Sequence, residues 1–254
     1  MRLRRPFYSL YQRRLRHNLE GAPLPGHVAM ILDGNRRWAR QAGLQSVAHG
    51  HRAGADKLLE FAGWVDDVGI RHVTFYLLST DNLTGRTGGE LTDLFDIIGA
   101  LALDLSGRWR VQHVGTTEGL PESLLGDLAE AERRGAAHGD GLHINLAVGY
   151  GGRTEIAHAM RSIVEAHSAR GGALDDLADS LTPELIGEHL YTGGQPDPDL
   201  VIRTSGEQRL SDFMLWQSAH SEFYFCDAYW PDFRRVDFLR ALRAYSARQR
   251  RFGG

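Results

Sequence analysis

Short apolar runs alternate with amphipathic segments along the chain, and this alternation predicts strands that alternate with helices. Mostly apolar runs at residues 28–32, 73–78 and 142–148 are typical of strands buried on both faces of a parallel sheet. Shorter runs predict three further strands, at residues 111–114, 200–202 and 223–225. The alternating order predicts one α/β domain over residues 1–254 with a mainly parallel sheet.

Apolar positions at helical spacing predict helices between these strands. They lie from residue 55 to a terminating Gly69, and at residues 90–105, 121–137 and 236–249. Thr182 followed by Pro183 predicts a capped short helix, because proline is well tolerated in a first helical turn. The glycine-containing stretch at residues 171–180 predicts a linker.

The first 22 residues predict a basic amphipathic helix or arm. Arginines are interleaved there with Phe7, Leu10, Tyr11 and Leu15 at roughly helical spacing. The favoured interpretation is a helix that docks on its own domain. The alternative is a helix that lies on an anionic membrane surface, as a peripheral contact.

Composition narrows the possible functions. A net charge of −3 argues against a general nucleic-acid binder, so any anion-binding site must be local. The one cysteine, Cys226, excludes a disulfide framework and a thiolate zinc site, and it favours a reducing cytoplasm. No apolar run approaches the roughly 18 to 20 residues of a membrane span.

The chemistry concentrates in a polar loop that follows the first predicted strand. It contributes an acid, a turn glycine, an amide, three arginines and an indole: Asp33, Gly34, Asn35, Arg36, Arg37, Arg40 and Trp38. Ligands of open α/β sheets bind at the carboxyl ends of the strands. An acid beside many hydrogen-bond donors suits a magnesium ion that carries a phosphate group. An indole inside a basic loop also needs a partner to pack on.

A second basic cluster follows the predicted strand at residues 200–202. Arg203 and Arg209, with Ser211 and other hydroxyls around a glycine turn, predict a bidentate clamp for an oxyanion. Residues 149–153 lack the lysine of a nucleotide P-loop. Two anion sites in one cleft suit an enzyme that joins two phosphorylated substrates. His51, beside the first loop, is a candidate phosphate contact, although a lone histidine is more often structural.

Motifs along nearly the whole chain resemble those of the cis-prenyltransferases, the Z-isoprenyl diphosphate synthases that include undecaprenyl diphosphate synthase. The matching stretches, in the family's order, are residues 27–40, 50–54, 76–82, 145–153, 199–216, 222–225, 230–233 and 251–253. The resemblance implies an α/β fold with a central, mostly parallel six-stranded sheet, and a cytoplasmic homodimer. It also implies that Mg²⁺ is the cofactor and that isopentenyl diphosphate and an allylic diphosphate are the substrates.

The resemblance also implies roles for individual residues. The implied catalytic residues are Asp33, Asn35 and Asn82, and the implied magnesium residues are Asp33 and Glu222. The implied substrate-binding residues are Gly34, Arg36, Arg37, Trp38, His51, Ser79, Arg86, Arg203, Arg209, Ser211, Arg251 and Gly253. Ser79, Asn82 and Arg86 match a mobile loop over the reacting carbons. Arg251 and Gly253 resemble a C-terminal signature that crosses the dimer interface to the diphosphates.

Leu77 departs from the family pattern, because long-chain members usually carry a small alanine at this place in the product tunnel. A leucine there predicts a short product of about C10 to C20, with C15 favoured, since close-packed walls resist displacement. An arginine of the longer-chain members is also missing before Gly50. The alternatives are a long-chain polyprenyl diphosphate synthase, irregular coupling of two allylic diphosphates, and a non-catalytic partner subunit.

Overall fold

A computed structural model describes residues 4–44, 46–85 and 88–248. Within these ranges six strands form one sheet in the order β3-β4-β2-β1-β5-β6, and each neighbouring pair is parallel. The strands are β1 (His27–Ile31), β2 (His72–Ser79), β3 (Arg110–Val114), β4 (His143–Tyr150), β5 (Leu200–Arg203) and β6 (Glu222–Phe225). The six apolar runs therefore coincide with the six strands, and the predicted fold class is confirmed.

Helices connect the strands and cover both faces of the sheet. They are α1 (Arg4–His17), α2 (Asn35–Gln41), α3 (Val47–Asp67), α4 (Thr80–Gly85), α5 (Gly88–Ser106), α6 (Glu122–Gly135), α7 (Gly152–Ala169), α8 (Leu174–Ser180), α9 (Pro183–Glu188) and α10 (Arg235–Ala247). Short 3₁₀ turns occupy Ala136–His138, Gln217–His220 and Trp230–Asp232. The Thr182 cap is present, because its hydroxyl accepts from the Leu185 amide at 3.2 Å.

The predicted linker at residues 171–180 is wrong for most of its length, because α8 lies there. Asp175 and Asp176 occupy its first turn, where carboxylates complement the helix dipole. Asp176 also accepts from the Ala173 amide at 3.4 Å, and Leu177 is buried. Glycine-rich composition had suggested a linker, but capping and one buried leucine are enough to order the segment.

The core has two layers, one on each face of the sheet. Helices α3, α5, α6 and α10 cover the larger layer, in which Phe61 contacts Phe75, Trp230 and Phe238 with ring centroids 4.8 to 5.9 Å apart. The smaller layer contains Phe213. Strand β1 contributes side chains to both layers, because alternate side chains of a strand point to opposite faces.

Helix α1 packs on its own chain, as the favoured interpretation predicted. Leu15 and Leu19 are buried, and the Arg240 guanidinium of α10 lies 5.3 Å from the centroid of the Tyr11 ring. No helix in the described ranges has the length and apolar character needed to cross a bilayer. Contact between the N-terminal segment and a membrane surface stays a prediction.

Three histidines lie in register at the amino-terminal edge of the sheet. His27, His72 and His143 pair across β1, β2 and β4, with neighbouring ring centroids 5.9 and 5.5 Å apart. Burial lowers the pKa of His27 to about 4, and it lowers the pKa of His143 to about 4 with help from the Arg110 charge. Nδ1 of His27 donates to the Pro196 carbonyl at 2.7 Å, which fits a neutral ring.

We predict that the free energy of unfolding falls as the pH drops from about 7 to about 5. A lowered native pKa means that stability is complete above the unfolded pKa of about 6.5 and is lost as the pH falls toward the native pKa. For His27 alone the loss over this interval is roughly 1 to 2 kcal/mol. Urea unfolding at the two pH values measures it.

His143→Gln should flatten this pH dependence, because an amide does not titrate. The matched control is His17→Gln, whose side chain is 79% exposed and should leave the slope unchanged. An identical slope in wild type and His143→Gln would contradict the role of these histidines.

Candidate active site

The two basic clusters meet at the carboxyl edge of the sheet. Ile31 pairs with Arg203 across β1 and β5, so the residues that follow these strands are neighbours. Nη2 of Arg203 lies 3.0 Å from Oδ2 of Asp33, and Nη2 of Arg37 lies 3.3 Å from Oδ1. Burial acts to raise the pKa of Asp33, but the hydrogen bond from Arg203 and the charges of Arg37 and Arg203 outweigh it and lower this pKa. Asp33 is therefore ionised at neutral pH.

The backbone around Asp33 is fixed from two sides. The Thr204 hydroxyl donates to the Asp33 carbonyl at 2.7 Å, and the Trp230 amide donates to it at 3.1 Å. Gly34 has φ of 111°, and a Cβ there would lie 2.8 Å from the Tyr229 ring. Only glycine fits this turn without strain, as the sequence predicted.

The second cluster is organised by Arg203, which is 3% exposed. Its Nη1 donates to Oγ of Ser211 at 2.8 Å and also to the Arg209 carbonyl. Arg37 joins the two clusters, because its Nη2 also donates to Oγ of Ser205 at 2.6 Å. The two predicted anion sites are therefore walls of one cleft.

A cavity of about 550 Å³ opens at this cleft and runs between α3 and α5. Polar side chains line its mouth: Asp33, Asn35, Arg36, His51, Ser79, Asn82, Arg203, Arg209 and Ser211. Apolar side chains line its depth: Ala55, Leu58, Leu77, Leu94, Ile98 and Leu101. A smaller cavity of about 290 Å³ adjoins it, lined by residues of the first loop that include Gly34, Arg37 and Arg40. The site thus combines a polar entrance with a greasy interior, as small-ligand pockets do.

Leu77 reaches the cavity from a β-bulge. Tyr76 pairs with Ala147 and Leu78 with Val148, which leaves Leu77 as an extra residue on β2. Leu77 and Leu78 both pack in the layer that contains α3 and α5, whereas Tyr76 packs in the opposite layer. Strict alternation would have sent the two leucines to opposite faces. The bulge therefore turns two consecutive leucines toward the cavity.

Helix α3 approaches Asn35 through two glycines. A Cβ on Gly50 would lie 2.4 Å from the Asn35 carbonyl oxygen, and one on Gly54 would lie 2.6 Å from Oδ1 of Asn35. Nε1 of Trp230 donates to the Gly54 carbonyl at 2.8 Å and holds the helix in place. The glycine spacing of residues 50–54 therefore sets the position of the Asn35 amide at the mouth.

Known proteins are similar in sequence to this chain. Residues 31–253 match the family described as "Putative undecaprenyl diphosphate synthase". The (2Z,6E)-farnesyl diphosphate synthase of Thermobifida fusca is 56% identical over 253 residues, covering 99% of this chain and 98% of its own. The isoprenyl transferase 1 of Streptomyces avermitilis is 56% identical over 254 residues, covering 99% of this chain and 97% of its own. The (2Z,6E)-farnesyl diphosphate synthase of Mycolicibacterium smegmatis is 51% identical over 257 residues, covering 99% of this chain and 97% of its own.

A solved structure of a prenyl diphosphate synthase is also similar to this chain. Lavandulyl diphosphate synthase from Lavandula x intermedia, in complex with dimethylallyl diphosphate, superposes with a TM-score of 0.83 and is 35% identical. The match covers 91% of this chain and 99% of that chain. The chain belongs to the undecaprenyl diphosphate synthase family. It is a cis-prenyltransferase, an enzyme that transfers prenyl groups.

Several residues of this cis-prenyltransferase that shape the site carried no role in the sequence analysis. Oε1 of Glu90 lies 3.5 Å from both Nε of Arg36 and Nε2 of His51. The Tyr76 hydroxyl donates to the Ser211 carbonyl at 3.2 Å. Asp81 lines the cavity one residue before Asn82. The sequence did not single out Glu90, because it lies on α5 and not in either basic cluster.

Two predicted site residues lie away from the cavity. Glu222 begins β6 at the amino-terminal edge, where it pairs in register with Leu200 and forms an ion pair with Arg248. The length of β5 separates it from the Asp33 edge by at least about 10 Å. Within one chain Glu222 and Asp33 therefore lie at opposite edges of the sheet, and the magnesium role of Glu222 stays a prediction. Trp38 is half-buried on α2 and lines neither cavity.

Three further predicted residues, Arg86, Arg251 and Gly253, lie outside the described residues. Their roles stay predictions.

We predict that Gly54→Ala lowers the prenyl transfer rate at least about tenfold, or about 1.4 kcal/mol in activation free energy. The added methyl group would displace the Asn35 amide, which it would approach to 2.6 Å. Steady-state kinetics of the purified variant measures the effect.

Gly63→Ala is the matched control on the same helix, because nothing lies within 4 Å of the added Cβ. Alanine has the higher helix propensity, so this variant should gain up to about 1 kcal/mol of stability at unchanged activity. Equal activities for the two variants would show that Gly54 does not position Asn35.

Proposed function

We propose that this cis-prenyltransferase condenses isopentenyl diphosphate with an allylic diphosphate and releases a short Z-prenyl diphosphate of about C10 to C20, with C15 favoured. The observation that carries the proposal is the bulged Leu77, which lines the apolar depth of a cavity of about 550 Å³ whose mouth carries Arg36, Arg203 and Arg209. Two relatives named as (2Z,6E)-farnesyl diphosphate synthases support the C15 length.

The electrostatics of the mouth suit ionisation of the allylic diphosphate. Breaking the allylic C–O bond leaves negative charge on the departing diphosphate. Arg37 is already oriented by Asp33 and by Ser205, and Arg36 lies beside the same small cavity. Charged groups held in place before the reaction stabilise developing charge without reorganising.

Asp33 fits a magnesium ion brought by the substrate. Prenyl diphosphate synthases generally depend on a metal, and Mg²⁺ is commonly held by one or two carboxylates together with substrate phosphates. The Asp33 side chain is 32% exposed toward the cleft. In the described ranges no three His, Cys, Asp or Glu side chains converge on a possible metal site. A bound Mg²⁺ would offset the charge of the diphosphate oxygens.

The second cluster suits the diphosphate of isopentenyl diphosphate. Arg203, Arg209 and Ser211 border the same cavity, and Nε of Arg203 has no acceptor among the described residues. With that diphosphate held, the isopentenyl double bond attacks the allylic carbon. One C–C bond forms, the allylic C–O bond breaks, and a proton leaves to give the new Z double bond. Asn35 is not the proton acceptor, because an amide is not basic at neutral pH.

The resemblance also implies a homodimer and a cytoplasmic location. These, and a peripheral membrane contact, stay predictions.

A panel of allylic primers tests the function. Dimethylallyl, geranyl and farnesyl diphosphates are each incubated with Mg²⁺, with and without isopentenyl diphosphate, and the products are measured by mass spectrometry. We expect products only with isopentenyl diphosphate, and mainly C15 from the dimethylallyl and geranyl primers. Products beyond about C20 would indicate a long-chain synthase. Products from an allylic diphosphate alone would indicate irregular coupling, and no product would indicate a non-catalytic subunit.

Asp33→Asn is the inactive variant for this panel, with an expected loss of at least a hundredfold, or about 2.7 kcal/mol. Asparagine keeps a hydrogen-bond acceptor for Arg203. Alanine would leave that buried guanidinium unpaired, at a cost on the order of 3 to 5 kcal/mol. Asp93→Asn, at an exposed position on α5 outside the cavity lining, is the control and should retain activity.

We predict that Leu77→Ala lengthens the product by about one or more isoprene units, because it removes side-chain volume from the apolar wall of the cavity. The control is Leu103→Ala, the same truncation of a half-buried leucine outside the cavity lining. Both variants should lose stability, but only Leu77→Ala should change the product distribution. An unchanged distribution would refute the role of Leu77 in chain length.

A further inference from the structure

The loop at residues 205–214 has an unusual backbone. In the described ranges, the non-glycine residues with positive φ are Ser205 (75°), Ser211 (50°), Asp212 (61°) and Met214 (46°), all within this loop. Such conformations are unfavourable for residues with a side chain and persist only where the surroundings impose them. Asp212 and Met214, on the two sides of Phe213, each make a contact that holds this backbone in place.

The first contact is made by Asp212 on the start of α7. Its Oδ1 accepts from the Arg153 amide at 3.1 Å, and its carbonyl accepts from the Gly152 amide at 2.7 Å. A Cβ on Gly151 would lie 2.8 Å from Oδ2 of Asp212, and one on Gly152 would lie 3.0 Å from its carbonyl oxygen. Gly151 and Gly152 therefore leave the space that Asp212 occupies at the start of α7.

The second contact is made by Met214. Its amide donates to the Tyr150 hydroxyl at 3.2 Å, and that hydroxyl in turn donates to the carboxylate of Glu155. Glu155 is 1% exposed and also accepts from Nε2 of Gln217 at 3.1 Å. Between the two contacts, the ring of Phe213 stacks on Tyr76 with centroids 4.5 Å apart.

These contacts determine the positions of Ser211 and Arg209 in the second basic cluster. Ser211 immediately precedes Asp212, and its hydroxyl accepts from Arg203 at 2.8 Å. The Arg209 carbonyl accepts from the same guanidinium group. A shift of Asp212 off α7 would therefore move the groups that border the cavity at the isopentenyl diphosphate end.

We propose that Asp212 is a positioning residue for isopentenyl diphosphate, which acts through Ser211 and Arg209. It lines neither cavity, so it does not contact the substrate itself. This inference rests on the proposed function, because it concerns one of the two proposed substrates.

Three variants test it, with KM measured separately for isopentenyl and allylic diphosphates. Asp212→Ala should raise KM for isopentenyl diphosphate at least about fivefold and change KM for the allylic substrate less than about twofold. Asp212→Asn should restore wild-type values, because asparagine keeps an acceptor oxygen and tolerates positive φ. Asp212→Gly relieves the backbone strain but lacks the acceptor, so it should behave like Asp212→Ala.

The control is Thr182→Ala, which removes another helix-capping oxygen, on α9. It should change neither KM value. Should Asp212→Ala fail to fold, Gly152→Ala tests the same contact from α7. Its control is Gly126→Ala on α6, because nothing lies within 4 Å of that Cβ.

The outcomes separate the two proposals. A wild-type protein that does not use isopentenyl diphosphate overturns the proposed function. An active wild type overturns only the role of Asp212 if KM for isopentenyl diphosphate stays unchanged in Asp212→Ala, or if both KM values rise equally. Normal kinetics in Asp212→Gly would assign the effect of alanine to strain and would also overturn it.

Discussion

The ion pair between Asp33 and Arg203 is the interaction on which the site depends. A guanidinium group that is 3% exposed is stable only when its charge and its N–H groups are matched, because desolvation of an unpaired ion is costly. Asp33 supplies the charge, and Ser211 and the Arg209 carbonyl supply acceptors. The cluster around Asp33 and the cluster around Arg203 therefore stabilise each other. The adjacent ends of β1 and β5 bring both into one cleft.

Backbone features, more than side-chain identity, aim the functional groups. A bulge turns Leu77 into the cavity, two glycines admit Asn35 against α3, and positive φ angles present Ser211. Strand β4 accommodates the bulge, because Gly149 (φ 63°) is itself left unpaired and restores the register before Ser79 pairs with Tyr150. The orientation of Leu77 toward the cavity thus goes together with a compensating irregularity in a neighbouring strand.

The sequence predicted what depends on local pattern. Parallel strands are buried on both faces, so their apolar runs were visible, and the rule that strand ends meet at one edge brought Asp33 and Arg203 together. The sequence could not reveal the bulge at Leu77, because the bulge depends on how β2 pairs with β4, which is distant in the chain. Glu222 is the first residue of β6, so the same rule puts it at the opposite edge of the sheet. The resemblance implied a magnesium role for Glu222, but it did not indicate where this residue lies relative to Asp33 within one chain.

The two faces of the sheet differ in the side chains that they carry near the site. The face covered by α3 and α5 is apolar and holds the channel. The other face carries a chain of hydrogen bonds that runs from His27 through Thr74, Asn145, Gln195, Gln112, Tyr191, Glu155 and Tyr150 to Met214. Buried polar networks of this kind favour one arrangement over its alternatives. The apolar face therefore holds the channel, while the polar face anchors the loop that presents Ser211 to Arg203.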